Sequence, residues 1–162
     1  MQLLISDANI LIDLEEGGLI EEAFRLPFQF SVPDMLFEEE MDQQHGYLID
    51  LGLELRELSS ESMFRGMGFI QQYTNPSRND CFALALAKQE NCPLLTGDKA
   101  LRHAAEAEAV TVRGTLWIVE QLIRQELIST DQARSAYERM KQAGRRLPWQ
   151  LAETKLIEPE GI

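Results

Sequence analysis

A chain of 162 residues with 44% apolar and 26% charged composition is sized for one domain and buries roughly 70% of its unfolded surface, so it needs no disulfide or structural zinc to fold. The formal net charge of -12 excludes a protein whose overall field attracts polyanions. The charge is also uneven: residues 1–65 hold 15 acids against 3 bases, and residues 66–162 hold 12 of each.

Residues 2–6 read as a short apolar strand that ends at Asp7, and residues 8–15 as a helix stopped by Gly17-Gly18. A short helix spans Leu19 to Arg25, and a second strand runs from Phe28 to Val32. Pro33 opens a helix expected to reach about Gln44, with Leu36, Phe37 and Met41 as its apolar stripe. Leu53 to Leu58 alternates with period two, as an edge strand does. Ser59 and Ser60 cap a helix from about Glu61 to Tyr73, and Asn75-Pro76-Ser77 is a break. A helix from Asp80 to Glu90, a buried strand Pro93 to Thr96 and a helix Asp98 to Glu108 follow. The fifth strand is expected over Ala109 to Val112, with a helix from Gly114-Thr115 through Gln125. Ser129 or Thr130 caps a helix to about Ala143, and the tail from Pro148 carries one more turn or helix, fraying after Pro159. Strands alternating with helices imply right-handed crossovers and a mainly parallel sheet covered on both faces. The expected organisation is one domain over residues 1–158, with 129–158 as a C-terminal helical extension.

Cys81 and Cys92 have no metal-ligand spacing and read as buried thiols of a reducing compartment. The N-terminus lacks a basic lead, and Asp7 and Asp13 interrupt its apolar run, so it does not read as a signal peptide. No stretch is long enough for a membrane span, and the expected location is the cytoplasm. His45 and His103 lack spaced partners and read as surface residues.

Chemistry is concentrated in carboxylates. Asp7 and Asp98 each follow an apolar strand within two residues, Asp80 stands at the start of a helix, and Glu38, Glu39 and Glu40 lie on the helix after strand two. Each has a structural explanation: Asp7 and Asp98 are good helix caps, Ser77 to Asp80 fits a capping box, and the Glu run suits a solvated face. Four acids in an α/β frame also fit a second purpose. Converging carboxylates repel and need a proton or cation, and an oxygen-only donor set favours Mg²⁺ or Mn²⁺ over zinc.

The stretches Ile5-Ser6-Asp7-Ala8-Asn9-Ile10-Leu11-Ile12-Asp13, Val32-Pro33-Asp34-Met35-Leu36-Phe37-Glu38-Glu39, Asn79-Asp80-Cys81-Phe82-Ala83-Leu84-Ala85-Leu86-Ala87 and Leu94-Leu95-Thr96-Gly97-Asp98-Lys99-Ala100-Leu101 resemble, in order, the four motifs of PIN-domain nucleases. Gly114-Thr115 and Gly144 to Trp149 are similar to a small prokaryotic branch of that family. The resemblance implies an α/β three-layer sandwich with a five-stranded, mainly parallel sheet of order 3-2-1-4-5. It implies Asp7, Glu39, Asp80 and Asp98 as metal-binding and catalytic acids, with Mg²⁺ or Mn²⁺ as cofactor and RNA as substrate. Many single-domain members resemble toxins held by an antitoxin protein. The family register favours Glu39; helical geometry places Glu40 near the apolar stripe and keeps it as the substitute. Ser6, Asn9, Asn79 and Thr96 stand beside the proposed ligands, with local capping as their other reading. Lys99 and Arg102 are placed to hold phosphates near Asp98, and Arg139, Lys141, Arg145 and Arg146 read as an exposed helix face rather than an RNA track.

The alternative is a catalytically inactive PIN-like module that binds protein or nucleic acid. A haloacid-dehalogenase type phosphotransfer enzyme wants a second acid where Asn9 stands, and no Walker or GxGxxG loop is present. Residues Met63, Met67, Phe69 and Ile70 offer a homodimer surface or core, and no membrane role is expected.

Overall fold

The structure is a computed structural model that describes residues 1–157. The expected fraying after Pro159 lies outside the described residues. Five strands form one sheet: β1 (Gln2–Ser6), β2 (Phe28–Pro33), β3 (Glu54–Arg56), β4 (Leu94–Leu95) and β5 (Val112–Arg113). The order is β3-β2-β1-β4-β5 and every pair is parallel, as expected. β1 is therefore central, with winding reversed between it and β4.

The apolar run of β1 has a direct cause. Successive strand residues point to opposite faces, and both faces are covered. Leu4 enters one core and Ile5 the other; Leu95 and Leu94 divide in the same way. The first core is closed by α1 (Ala8–Glu16), α9 (Thr115–Arg124) and α10 (Thr130–Gln142). The second is closed by α7 (Arg78–Glu90) and α8 (Lys99–Ala107). Residues 81–87 of α7 are buried all round, because α7 lies between the sheet and α6 (Ser60–Gln72). Gly66 permits that approach: a Cβ there would stand 2.5 Å from the Phe82 ring.

Several expected boundaries move. The helix after β2 does not run to Gln44. It breaks at Met41, whose φ of -126° is not helical, giving α3 (Asp34–Glu40), α4 (Asp42–His45) and α5 (Tyr47–Leu51). Met41 is buried with Leu36 and Phe37, so packing of the stripe is kept while the backbone turns. The fourth strand shortens to β4, and the fifth starts late because Ala109 takes a φ of +60°. The tail forms α11 (Trp149–Ile157), with Trp149 packed edge-on against Tyr137 of α10. On α6, Phe69 is buried while Phe64, Met67 and Ile70 are exposed. Both cysteines are buried and free. His45 is not a bare surface residue: its Nδ1 meets the Glu15 carboxylate at 2.8 Å.

Candidate active site

The register of the two central strands builds the site. Ser6 lies opposite Leu95, so the residue after each strand lies across the crevice from the other. The Asp7 N–H donates to the Leu95 carbonyl at 3.0 Å, which prolongs the ladder by one bond. The Thr96 hydroxyl then donates to Asp7 Oδ2 at 2.5 Å. Thr96 Oγ1 also accepts the backbone N–H of Asp98 at 3.0 Å. One hydroxyl thus joins the two acids that follow the neighbouring strands.

Both acids are helix caps as well. Asp7 Oδ1 accepts the Ile10 N–H at the start of α1, and Asp98 Oδ1 accepts the N–H groups of Ala100 and Leu101 at the start of α8. Asp80 completes a capping box with Ser77 at the start of α7. Capping accounts for one oxygen of each carboxylate and leaves its charge uncompensated.

That charge is the notable feature. Asp7 is buried, and burial pushes its carboxyl up to about 6, against the pull of the Thr96 hydroxyl and the Ile10 N–H; the charges of Asp80 and Asp13 push it further. Asp80 is also raised, by burial first and then by Asp98, against the pull of Ser77. Asp7, Asp80 and Asp98 are therefore one electrostatic group, although among the described residues no three His, Cys, Asp or Glu side chains gather closely enough to hold an ion between them.

The glutamates join through Asn79, which precedes Asp80. Its Nδ2 donates to Glu39 Oε2 at 3.0 Å and to Glu40 Oε2 at 2.8 Å. Arg78 stands 3.6 Å from Glu39. Glu40 does not lie on the buried stripe: all three of Glu38, Glu39 and Glu40 are exposed, because the helix ends there and the chain turns at Met41. Asn79 Oδ1 is buried without a hydrogen-bond partner. Ser6 does not meet a carboxylate oxygen; its hydroxyl donates to the Asp7 carbonyl at 2.8 Å.

A second network escaped the sequence reading. Asp13, buried one and a half turns along α1, accepts from the Thr115 hydroxyl at 2.8 Å and from Arg145 Nε at 2.7 Å. Arg145 Nη2 also donates to Asn9 Oδ1 at 3.0 Å. Arg145 is thus not part of an exposed helix face. The other three basic residues of its group disperse: Arg139 covers Gly18, Lys141 lies over Trp149, and Arg146 lines two clefts. The available signal was an acid inside the apolar face of a helix, which demands a partner.

A parallel sheet with acids at the carboxyl ends of its two central strands, at the reversal of winding, defines an α/β protein with a switch-point site. A family model for a PIN domain matches residues 3–158, and the chain belongs to that family. No curated protein matches the chain. Among solved structures it is similar to a PilT N-terminus domain protein of the hyperthermophilic archaeon Sulfolobus solfataricus, at 16% identity and a TM-score of 0.48 over 76% of this chain and 92% of that one. PIN domains are generally metal-dependent nucleases.

The acids at the crevice offer only oxygen donors, the kind a hard cation takes, and among the described residues no three of them gather around one point. The charges that bear on Asp7 are both negative, and Asp80 is opposed by Asp98. A cation among them would relieve both.

Proposed function

We propose that this chain is a Mg²⁺- or Mn²⁺-dependent endoribonuclease that hydrolyses phosphodiester bonds at the crevice between β1 and β4. Asp7, Asp80, Asp98 and Glu39 are the acids assigned to the ion, with Glu40 as the substitute for Glu39. The observation that carries this reading is the Thr96 link between buried Asp7 and the backbone of Asp98 at the ends of neighbouring strands, with the Asp80 charge acting on Asp7 and the Asp98 charge on Asp80. A hard ion held there would supply positive charge against these acids and the Lewis-acid chemistry that activates a water for attack on a phosphodiester.

The surrounding residues have distinct tasks. Thr96 fixes one Asp7 oxygen and the backbone of Asp98. Asn79, the neighbour of Asp80 in the chain, holds Glu39 and Glu40. Asn9 is turned toward Arg145, so its task is to position the C-terminal segment. The cellular role assigned with this activity is the toxin of a toxin–antitoxin pair.

The test is twofold. Mg²⁺ or Mn²⁺ should raise the melting temperature of the wild type and leave Asp7→Asn unmoved, and only the wild type should cleave a mixture of structured and unstructured RNAs in a metal-dependent way. Induced expression should arrest growth, and Asp7→Asn should abolish the arrest. A folded protein with neither thermal response nor cleavage supports a second reading, a non-catalytic interaction module. The absence of a ready three-ligand cluster among the described residues favours that alternative.

A further inference from the structure

A cleft of about 750 Å³ opens at the carboxyl edge of the sheet, beyond β5, between α8, the start of α9 and the C-terminal segment. It is contiguous with a second cleft of about 470 Å³ that holds Asp98, Asn9 and Arg145, because Asp13, Gly97 and Arg146 line both. The larger cleft is therefore continuous with the space beside Asp98.

Its chemistry is the reverse of the chain's. The protein carries a net -12, yet this cleft is lined by Arg102, Arg113, Arg124, Arg146 and Lys155 against Asp13, Glu106 and Glu120. Asp13 is already engaged by Arg145, and Glu120 and Lys155 pair with each other at 2.7 Å, so that both leave the balance. Arg102, Arg113 and Arg146 are exposed along the wall.

The cleft also holds a cation–π pair. The Arg113 guanidinium lies 5.7 Å from the Trp117 ring centroid, and the Phe28 ring packs tilted against Trp117 at 5.4 Å. Arginine and aromatic side chains are the groups against which unstacked bases pack. Leu151, half-exposed on α11, adds apolar surface to the lining.

We infer that this cleft receives the nucleotides flanking the bond to be cut in a single-stranded RNA, with phosphates on Arg102, Arg113 and Arg146 and one base against the Arg113–Trp117 pair. The inference rests on the ribonuclease reading for the identity of the ligand. Charge complementarity and continuity with Asp98 favour RNA over an apolar peptide, which would leave the arginines unused. An acidic protein segment is the competing occupant.

The test is fluorescence anisotropy on the full chain, with a labelled single-stranded oligoribonucleotide of about 12 nucleotides, a length that spans such a groove, measured with EDTA and with Mg²⁺. The double variant Arg113→Ala/Arg146→Ala should bind at least about ten-fold more weakly, and its salt dependence should flatten by about 1.4 in the log–log slope, for two lost phosphate contacts on a single strand. Arg134→Ala, an exposed cation paired with Asp131 on α10, should bind as the wild type does. Circular dichroism melts check that the exposed substitutions leave the fold intact. Wild-type-like binding by the double variant, no measurable RNA binding by the wild type, or arginine-dependent preference for a polyglutamate peptide would each overturn the inference. Arginine-dependent binding without metal-dependent cleavage would sink the nuclease reading, and with it the bond to be cut, while supporting single-stranded RNA as the occupant of this cleft. Cleavage unaffected by the double variant would do the opposite.

Discussion

Replacing Asp7 by Asn should stabilise the protein in the absence of metal. The carboxyl is 3% exposed, and its affinity for a proton is raised from 3.8 to about 6 by folding, chiefly through burial. The folded state therefore binds more protons than the unfolded state between those values, and stability falls as pH rises through that window. Asp7's contribution is fully present below about 3.8 and is lost above about 6. A difference of about two pKa units corresponds to about 3 kcal/mol at neutral and alkaline pH. Asn keeps the Oδ1 cap to Ile10 and is as good an N-cap as Asp. It exchanges the Thr96 donation for an amide facing the same hydroxyl, which costs about 1 kcal/mol. The net expectation is a gain of about 2 kcal/mol at about pH 8 in EDTA, shrinking as pH falls, gone between about pH 4 and 5, and turned into a loss of up to about 1 kcal/mol at lower pH. Urea melts of both proteins across that range, with unchanged m-values, provide the measurement. If the variant is instead less stable than the wild type at alkaline pH, hydrogen bonding rather than buried charge governs the site, and the electrostatic case for a cation collapses.

Further outcomes follow from neighbouring residues. Asp98→Ala removes the acceptor for two helix N–H groups and should cost about 1 kcal/mol, whereas Asp98→Asn should be within a few tenths; both should abolish cleavage, which separates capping from chemistry. Arg145→Ala leaves buried Asp13 with Thr115 as its remaining side-chain partner and should cost about 2–3 kcal/mol, below the figure for a fully buried pair because Arg145 is partly exposed; adding Asp13→Asn should restore most of that loss in a double-mutant cycle. Gly66→Ala drives a methyl into the Phe82 ring and should cost about 1–3 kcal/mol by thermal or urea melting, with no change in metal response per folded molecule.

The pattern of strand followed by acid was legible because it is local. Leu4 and Ile5 with Asp7, and Leu94 and Leu95 with Asp98, announce a buried parallel strand and its carboxyl end without reference to anything else. The break at Met41 was not legible, since a continuous apolar stripe fits one bent helix or several short ones. Glu40 was misplaced for the same reason: periodicity assigns a face only while the helix continues. The Asn79 link to both glutamates spans about forty positions, and no spacing rule reaches that far.

The sequence by itself determined the order of elements, the parallel sheet they imply, and which acids stand at the ends of its central strands, because side-chain period and helix caps act over a few residues. Only the tertiary structure decided that Asp7 is buried enough to hold its proton more tightly than a free carboxyl, that one threonine joins it to the backbone of Asp98, and that Arg145 crosses the molecule to Asp13. Those properties depend on desolvation and on partners distant in the chain, and both exist only once the sheet and its covering helices have closed.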